Sequence, residues 1–227
     1  INRIKIWVDN VLPYDSVRND DTLFKDFYVC TNGLLGNYTI GGVSDSFATI
    51  SDAIEAILNC GIAGNVTFLL QSRVYSETFS FTDTIPGMTS ADKITFVSAA
   101  RNADSVVILS LNNTPLLLSN TMNLVFSHIT FDASNGPNYA VKFEENVTGV
   151  EIRHCNVKSN TTTTMNTYAA VYYSNSANTG KCLYDIKLIA NTFDGGYYNV
   201  YFTYAGTPSS TSKITIDSNI FMNAYYY

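Results

Sequence analysis

The chain has 227 residues, long for one domain without requiring two, and its 13 basic against 19 acidic side chains leave a net charge of -6. That balance excludes an electrostatic grip on nucleic-acid phosphates, and no apolar run approaches the roughly 18 residues that span a bilayer. Charged residues make up only 14% of the chain against roughly 25% in an average globular domain, while 16 tyrosines contribute to a neutral-polar, aromatic surface of the kind that handles sugars.

The first predicted element is a hairpin. In RIKIWVDN (3–10), Ile4, Ile6 and Val8 alternate with Lys5 and Trp7, and a polar loop, PYDSVRNDD (13–21), leads to TLFKDFYVC (22–30). Period-two alternation on one side of a loop, followed by a second apolar run, predicts two paired strands. A lone hairpin is marginal in water, so it belongs with a domain upstream or packs on the helix that follows. IKIWVDN together with RNDDTL resembles the last two strands of the Ig-like adhesion-related domains of bacterial surface proteins.

The helix lies in SFATISDAIEAILNCGIAG (46–64), where Phe47, Ile50, Ile54, Ile57 and Leu58 recur at helical spacing. Thr49 or Ser51 caps its start and Gly61 ends it, giving an amphipathic element over about 49–59. Its expected place is over the open apolar end of the first coil of a solenoid.

The solenoid is announced by repetition. Half-copies NVTF (65–68) and KITF (93–96) lead into NLVFSHITF (123–131), GVEIRHCNV (149–157), DIKLIANTF (185–193) and KITIDSNIF (213–221). The second position of this phrase holds Leu124, Val150, Ile186 and Ile214, and the fourth holds Phe126, Ile152, Leu188 and Ile216. The third and fifth positions, Val125, Glu151, Lys187, Thr215 and Ser127, Arg153, Ile189, Asp217, complete the alternation of a half-buried strand. The alternation then slips by one residue, with Ile129, Cys155, Asn191, Asn219 at the seventh position and Phe131, Val157, Phe193, Phe221 at the ninth. The slip predicts a corner between two short strands. The spacing of the copies falls within the roughly 20–50 residues that mark a solenoid.

A further strand recurs in the gaps as YAVKF (139–143), AAVYY (169–173) and YNVYF (198–202), with Val141, Val171, Val200 and Phe143, Tyr173, Phe202 inward. Coils of several short strands stack into parallel sheets, and Asn at an inward corner bonds to the next rung. At about 4.8 Å per strand, six rungs make a rod of roughly 25 Å.

The pattern apolar-x-apolar-x-x-Asn-x-Phe over residues 63–227 resembles the right-handed parallel β-helix of the pectate-lyase-like superfamily, and the handedness is what that resemblance implies. The ordered series GNYTIGG, DSFATISDAIEAILNCGIAGNVTF, YSETFSF and KITFVSA is similar to the start of β-helix domains in large secreted proteins of Bacteroidetes. The expected fold is therefore all-β: a right-handed parallel β-helix of about six rungs over 34–227, with an N-terminal capping helix. A β-hairpin remnant precedes it over 1–33, either the C-terminal strands of an Ig-like domain or an N-terminal hairpin. FMNAYYY follows the last rung with no capping element, which predicts truncation of a longer chain, with end-to-end dimerisation as the alternative. The resemblance implies a secreted or cell-surface location and neighbouring domains of a longer chain, and carries no activity.

The cysteines Cys30, Cys60, Cys155 and Cys182 lack CxxC spacing, so neither zinc nor a redox motif is supported. In a secreted protein Cys30 and Cys60, which flank the linker and end the helix, are placed for a disulfide; small buried hydrophobes are the alternative. Cys155, in an inward column, is expected as a free core thiol. His128 and His154 share one position on adjacent rungs and should stack about 5 Å apart. That column continues as Ala190 and Ser218, short of the three ligands zinc requires, so a plain corner ladder is expected. No metal or cofactor is assigned.

Enzymes on this fold cluster carboxylates on an outward face, and the acids here do not cluster. Glu151 falls beside Lys187, and Asp132, Lys158 and Asp194 alternate in sign, which reads as charge-complementary ladders. Glu144 and Glu145 are adjacent, so they face opposite ways or sit on a turn. The outward column Lys142, Tyr172 and Tyr201, with Glu144, Ser174 and Thr203 beside it, offers instead a ring platform flanked by hydrogen-bonding groups for a glycan. Tyr197, Tyr204, Tyr225, Tyr226 and Tyr227 either enlarge this aromatic surface or are buried. A stacked ladder serving only the sheet is the alternative. The expected function is a non-catalytic extracellular surface module, adhesin-like or glycan-binding, with a polysaccharide or glycan as partner. The alternative is a fragment of a polysaccharide lyase or glycoside hydrolase.

Overall fold

The apolar columns of the repeats become the core of a parallel β-solenoid of about six turns. The computed structural model describes residues 2–7, 22–27, 30–136, 138–174, 181–203 and 213–226; Val8, the expected loop 13–21, Tyr204 and Tyr227 lie outside them. The first sheet stacks seven strands, from Leu34–Ile40 and Ile62–Leu70 through Ile94–Ser98, Leu124–Ser127, Glu151–Arg153 and Ile186–Ile189 to Ile214–Asp217. The second holds six strands, from Arg73–Tyr75 to Ile220–Met222. The third runs from Phe79–Phe81 through Leu116–Met122, Tyr139–Thr148 and Ala169–Ser174 to Tyr198–Thr203, and Leu183–Tyr184 also pairs with Tyr139–Thr148.

Register pairs like with like, Phe96 with Phe126, Phe126 with Ile152, Ile152 with Leu188, Leu188 with Ile216. The slip in the phrase is a single residue of left-handed backbone: His128, His154, Ala190 and Ser218 have φ of 56°, 51°, 53° and 57°. One such residue turns the chain from the first sheet into the second, an isolated strain that a polar or small side chain tolerates best. Just beyond it the Asn191 Nδ2 donates to the Ile152 carbonyl and its Oδ1 accepts from the Cys155 N–H, at 2.8 and 2.9 Å. Asn219 repeats this one rung on, with the Leu188 carbonyl and the Asn191 N–H, both at 2.8 Å. The corner amides thus satisfy backbone groups that the turn withdraws from the sheets.

The helix spans Ile50–Cys60. Thr49 caps it through a reciprocal box, its Oγ1 accepting from Asp52 N–H at 3.0 Å while the Asp52 carboxylate accepts from Thr49 N–H at 3.1 Å. Ile50, Ala53 and Ile57 are fully buried, and the helix packs on Leu34–Ile40 and Phe79–Phe81, so it closes the first coil as a lid. Its last residue, Cys60, is disulfide-bonded to Cys30. Ahead of it Asn2–Trp7 and Thr22–Phe27 pair antiparallel, Ile4 opposite Lys25 and Ile6 opposite Leu23, which is the expected hairpin.

Two departures from the alternating pattern are informative. Val125 and Ser127 point outward yet are buried, because the next rung sets Glu151 and Arg153 directly beside them, joined by an ion pair of 3.1 Å. The stems of such long side chains cover shorter neighbours. Conversely, Ile216 and Phe221 occupy inward columns and are 47% and 48% exposed. An inward side chain needs a rung on both sides to be buried, and these belong to the last one described.

Candidate functional site

The outward face of the third sheet carries the predicted column. Register sets Ser80 beside Leu117, Leu117 beside Lys142, Lys142 beside Tyr172 and Tyr172 beside Tyr201. Ser174 pairs with Thr203, and Glu144 lies two residues beyond Lys142, to which it is ion-paired at 2.5 Å. All six expected residues are therefore on one surface.

The rings do not form the open platform that the column suggested. Tyr172 and Tyr201 have centroids 5.5 Å apart and planes 12° apart, too close for rings lying side by side in one plane, so they stack offset, each partly covering its neighbour. Tyr139, missed in the sequence, stacks on Tyr172 at 4.1 Å, and Tyr198 stacks on Tyr201 at 4.9 Å. Tyr197 and Tyr226 extend the series, with contacts of 4.8 Å from Tyr198 to Tyr197 and 5.8 Å from Tyr197 to Tyr226. Tyr225 joins it at 5.2 Å from Tyr197. Neighbouring rings thus partly cover one another from Tyr139 to Tyr198, while Tyr225 and Tyr226 stay more than half exposed. Burial, with the neighbouring Tyr172 phenol and its hydrogen bond, pushes the Tyr139 hydroxyl up to about 12, so at neutral pH it acts as a donor. The signal for Tyr139 was faint: Ala140 and Val141 are both fully buried, so the strand enters its sheet with two successive inward residues and the residue before them faces out.

A bulge adds a second unforeseen feature. The pairing with Leu116–Met122 shifts between Glu144 and Val147, and Glu145 takes a φ of 54°. Adjacent carboxylates that strict alternation would send to opposite faces are thereby brought to one hollow of about 450 Å³, bounded by Tyr139, Tyr172, Lys142, Ser174 and Lys181 as well. Lys181 pairs with Glu145, whose carbonyl also accepts from the Tyr173 hydroxyl at 3.5 Å. Tyr173 itself is an inward residue at 1% exposure.

Elsewhere the expected groups behave as structure. His128 and His154 stack at 4.9 Å, and the Ser127 hydroxyl lies 2.8 Å from His128 Nδ1. Burial, then His154, Arg101 and Arg153, hold His128 below its ordinary range. Cys155 is a buried free thiol whose Sγ donates to the Arg153 carbonyl at 3.2 Å, and burial pushes it up to about 12. Glu151 and Lys187 are in register, as are Asp132, Lys158 and Asp194, but the ion pairs run elsewhere, from Glu151 to Arg153 at 3.1 Å and from Lys187 to Asp185 at 3.5 Å. Among the described residues no three His, Cys, Asp or Glu side chains are grouped to hold a metal ion. No family model, no curated protein and no solved structure matches the chain.

Proposed function

We propose that this protein is a non-catalytic extracellular β-helix that binds glycans on the outward face of its third sheet. The observation that carries the reading is the hollow where Tyr139, Tyr172, Lys142, Glu144 and Ser174 converge. Phenol and hydroxyl groups, an ammonium and a carboxylate stand side by side there on a stacked sheet. Sugar hydroxyls both donate and accept, and the hollow offers partners of each kind beside aromatic rings. Strands held in register on both sides lose little freedom on binding, which leaves more of the contact energy as affinity. The Cys30–Cys60 disulfide agrees with an oxidising compartment, hence with secretion or display at a cell surface beside other domains. The resemblance of the repeat pattern to pectate-lyase-like β-helices, and of the series from GNYTIGG to KITFVSA to secreted Bacteroidetes proteins, belongs with the same reading.

A polysaccharide lyase or glycoside hydrolase fragment is the second reading, and the bulge favours it by bringing Glu144 and Glu145 to one hollow. Glycosidic cleavage uses two carboxylates flanking the bond. Here each carboxylate is engaged by a lysine, Lys142 or Lys181, an arrangement suited to holding a ligand.

A glycan array run beside an assay for reducing or unsaturated sugar release separates the two. We expect binding without release, weakened by about 1–3 kcal/mol in a folded Tyr172→Ala, Tyr201→Ala double variant. Sugar release that disappears in Glu144→Gln would replace the binding module by the enzyme.

A further inference from the structure

We infer that the ligand is an uncharged, linear polysaccharide laid along the solenoid axis, crossing the rungs of the third sheet; this rests on the glycan-binding reading. The hollow described above is one end of a longer trough. A second hollow of about 600 Å³, bounded by Ser80, Asn112, Asn113, Thr114 and Asn138, shares Tyr139, Lys142 and Glu144 with the first. The two follow the outward column from Ser80 through Leu117 and Lys142 to Tyr172, one residue per rung, and Tyr201 continues that column one rung beyond them. At about 4.8 Å per strand the four steps span roughly 20 Å, room for about four sugar rings end to end.

Charge decides the class of chain. The ammonium groups of Lys142 and Lys181 are matched by Glu144 and Glu145, so the trough has no surplus cation to attract uronate or sulfate. Desolvating an acidic sugar against these carboxylates would cost free energy. The second hollow adds only neutral groups. Asn112 and Asn113 are exposed amides, each able to donate to one sugar hydroxyl and accept from another. The two ends differ in chemistry, amides at one and tyrosine rings at the other, so a chain with distinct reducing and non-reducing ends takes one direction.

The test is calorimetric titration of the whole chain with neutral cello-, xylo-, manno- and laminari-oligosaccharides of two to six units, and with oligogalacturonates of equal length. Affinity for one neutral series should rise at least tenfold between two and four units and then level off, with oligogalacturonates at least tenfold weaker. Asn112→Ala with Asn113→Ala, both exposed, should weaken the longer ligands and leave the disaccharide unchanged. Flat length dependence, or no effect of the asparagine pair while Tyr172→Ala with Tyr201→Ala still weakens binding, would refute the axial trough and leave the glycan site standing. Tighter binding of oligogalacturonate would overturn the neutral class. Loss of every oligosaccharide signal would take the site and the trough down together.

Discussion

Two aromatic ladders run along this rod, one inside and one outside, and both follow one rule. Within the core Phe68, Phe96 and Phe126 stack with centroids 4.8 and 5.6 Å apart and planes 10° apart. On the surface Tyr172 and Tyr201 stack at 5.5 Å and 12°. Parallel register alone produces this, since like positions lie one strand spacing apart on either face. The surroundings differ. All three phenylalanines are fully buried, and Phe79 meets Phe96 and Phe126 edge-on at 4.8 and 5.3 Å. The tyrosines stay half-buried beside a polar hollow. Stacking contributes about 0.5–1.5 kcal/mol per pair in either place, whereas removing a core ring costs about 3–5 kcal/mol. The inner ladder therefore carries more of the fold's stability than the outer one.

A charge in the inner ladder gives the largest break. Phe126→Asp sets an unpaired carboxylate among Phe79, Phe96 and Phe131, a penalty of several kcal/mol against a total of about 5–15 kcal/mol, so no cooperative melt should appear by circular dichroism. Thr215→Asp, outward on the same sheet, should melt near the unchanged protein. Similar behaviour of the two would disprove the register.

Neighbouring residues on one strand sharpen the contrast next. Tyr173→Ala should lower stability by about 3–5 kcal/mol in urea titration, as a cavity beside Phe143 and Phe202 requires. Tyr172→Ala should cost less, about 1–3 kcal/mol, from the two stacking contacts with Tyr139 and Tyr201 that it removes. Equal costs would erase the distinction between inside and outside.

The lid packs on Leu34–Ile40 and Phe79–Phe81, and the Cys30–Cys60 bond, 30 residues apart, ties it down. Replacing both cysteines by serine should cost about 3–4 kcal/mol by loop entropy and leave the affinity of the tyrosine face unchanged. A loss of binding in that folded variant would mean that the two regions are coupled.

The smallest effect concerns pH. His128 is lowered by burial, then by His154, Arg101 and Arg153, so between its folded value and about 6.5 the unfolded chain binds the extra proton. Stability from this corner is fully present above that unfolded value and is lost as pH falls through the window. His128→Asn, suited to a φ of 56°, should flatten the acid side of the melting-temperature profile. An unchanged acid slope would remove His128 as its origin.

The parts legible in the sequence share one property, a short repeating unit. The inward columns, the αL corner at His128 and His154, the asparagine ladder, the Thr49 cap and the pairing of Lys142, Tyr172 and Tyr201 all recur or follow local rules, so residue spacing was enough to place them. The lost parts break that unit. Strict alternation sends Tyr139 inward and separates Glu144 from Glu145, and one bulge with one doubled inward step reverses both results.

By itself the amino-acid sequence determined which residues of the repeated columns face the axis, because there the strand pleat and the corner are set by each residue and its immediate neighbours. Only the tertiary structure decided that Val125 is covered, that the tyrosine rings hide one another's faces, and that Asn112 and Glu144 border the same space. Those outcomes depend on side chains one rung away, and the reach of a neighbouring Arg153, Tyr139 or Lys181 is fixed when the coils stack, which no pattern within a single coil records.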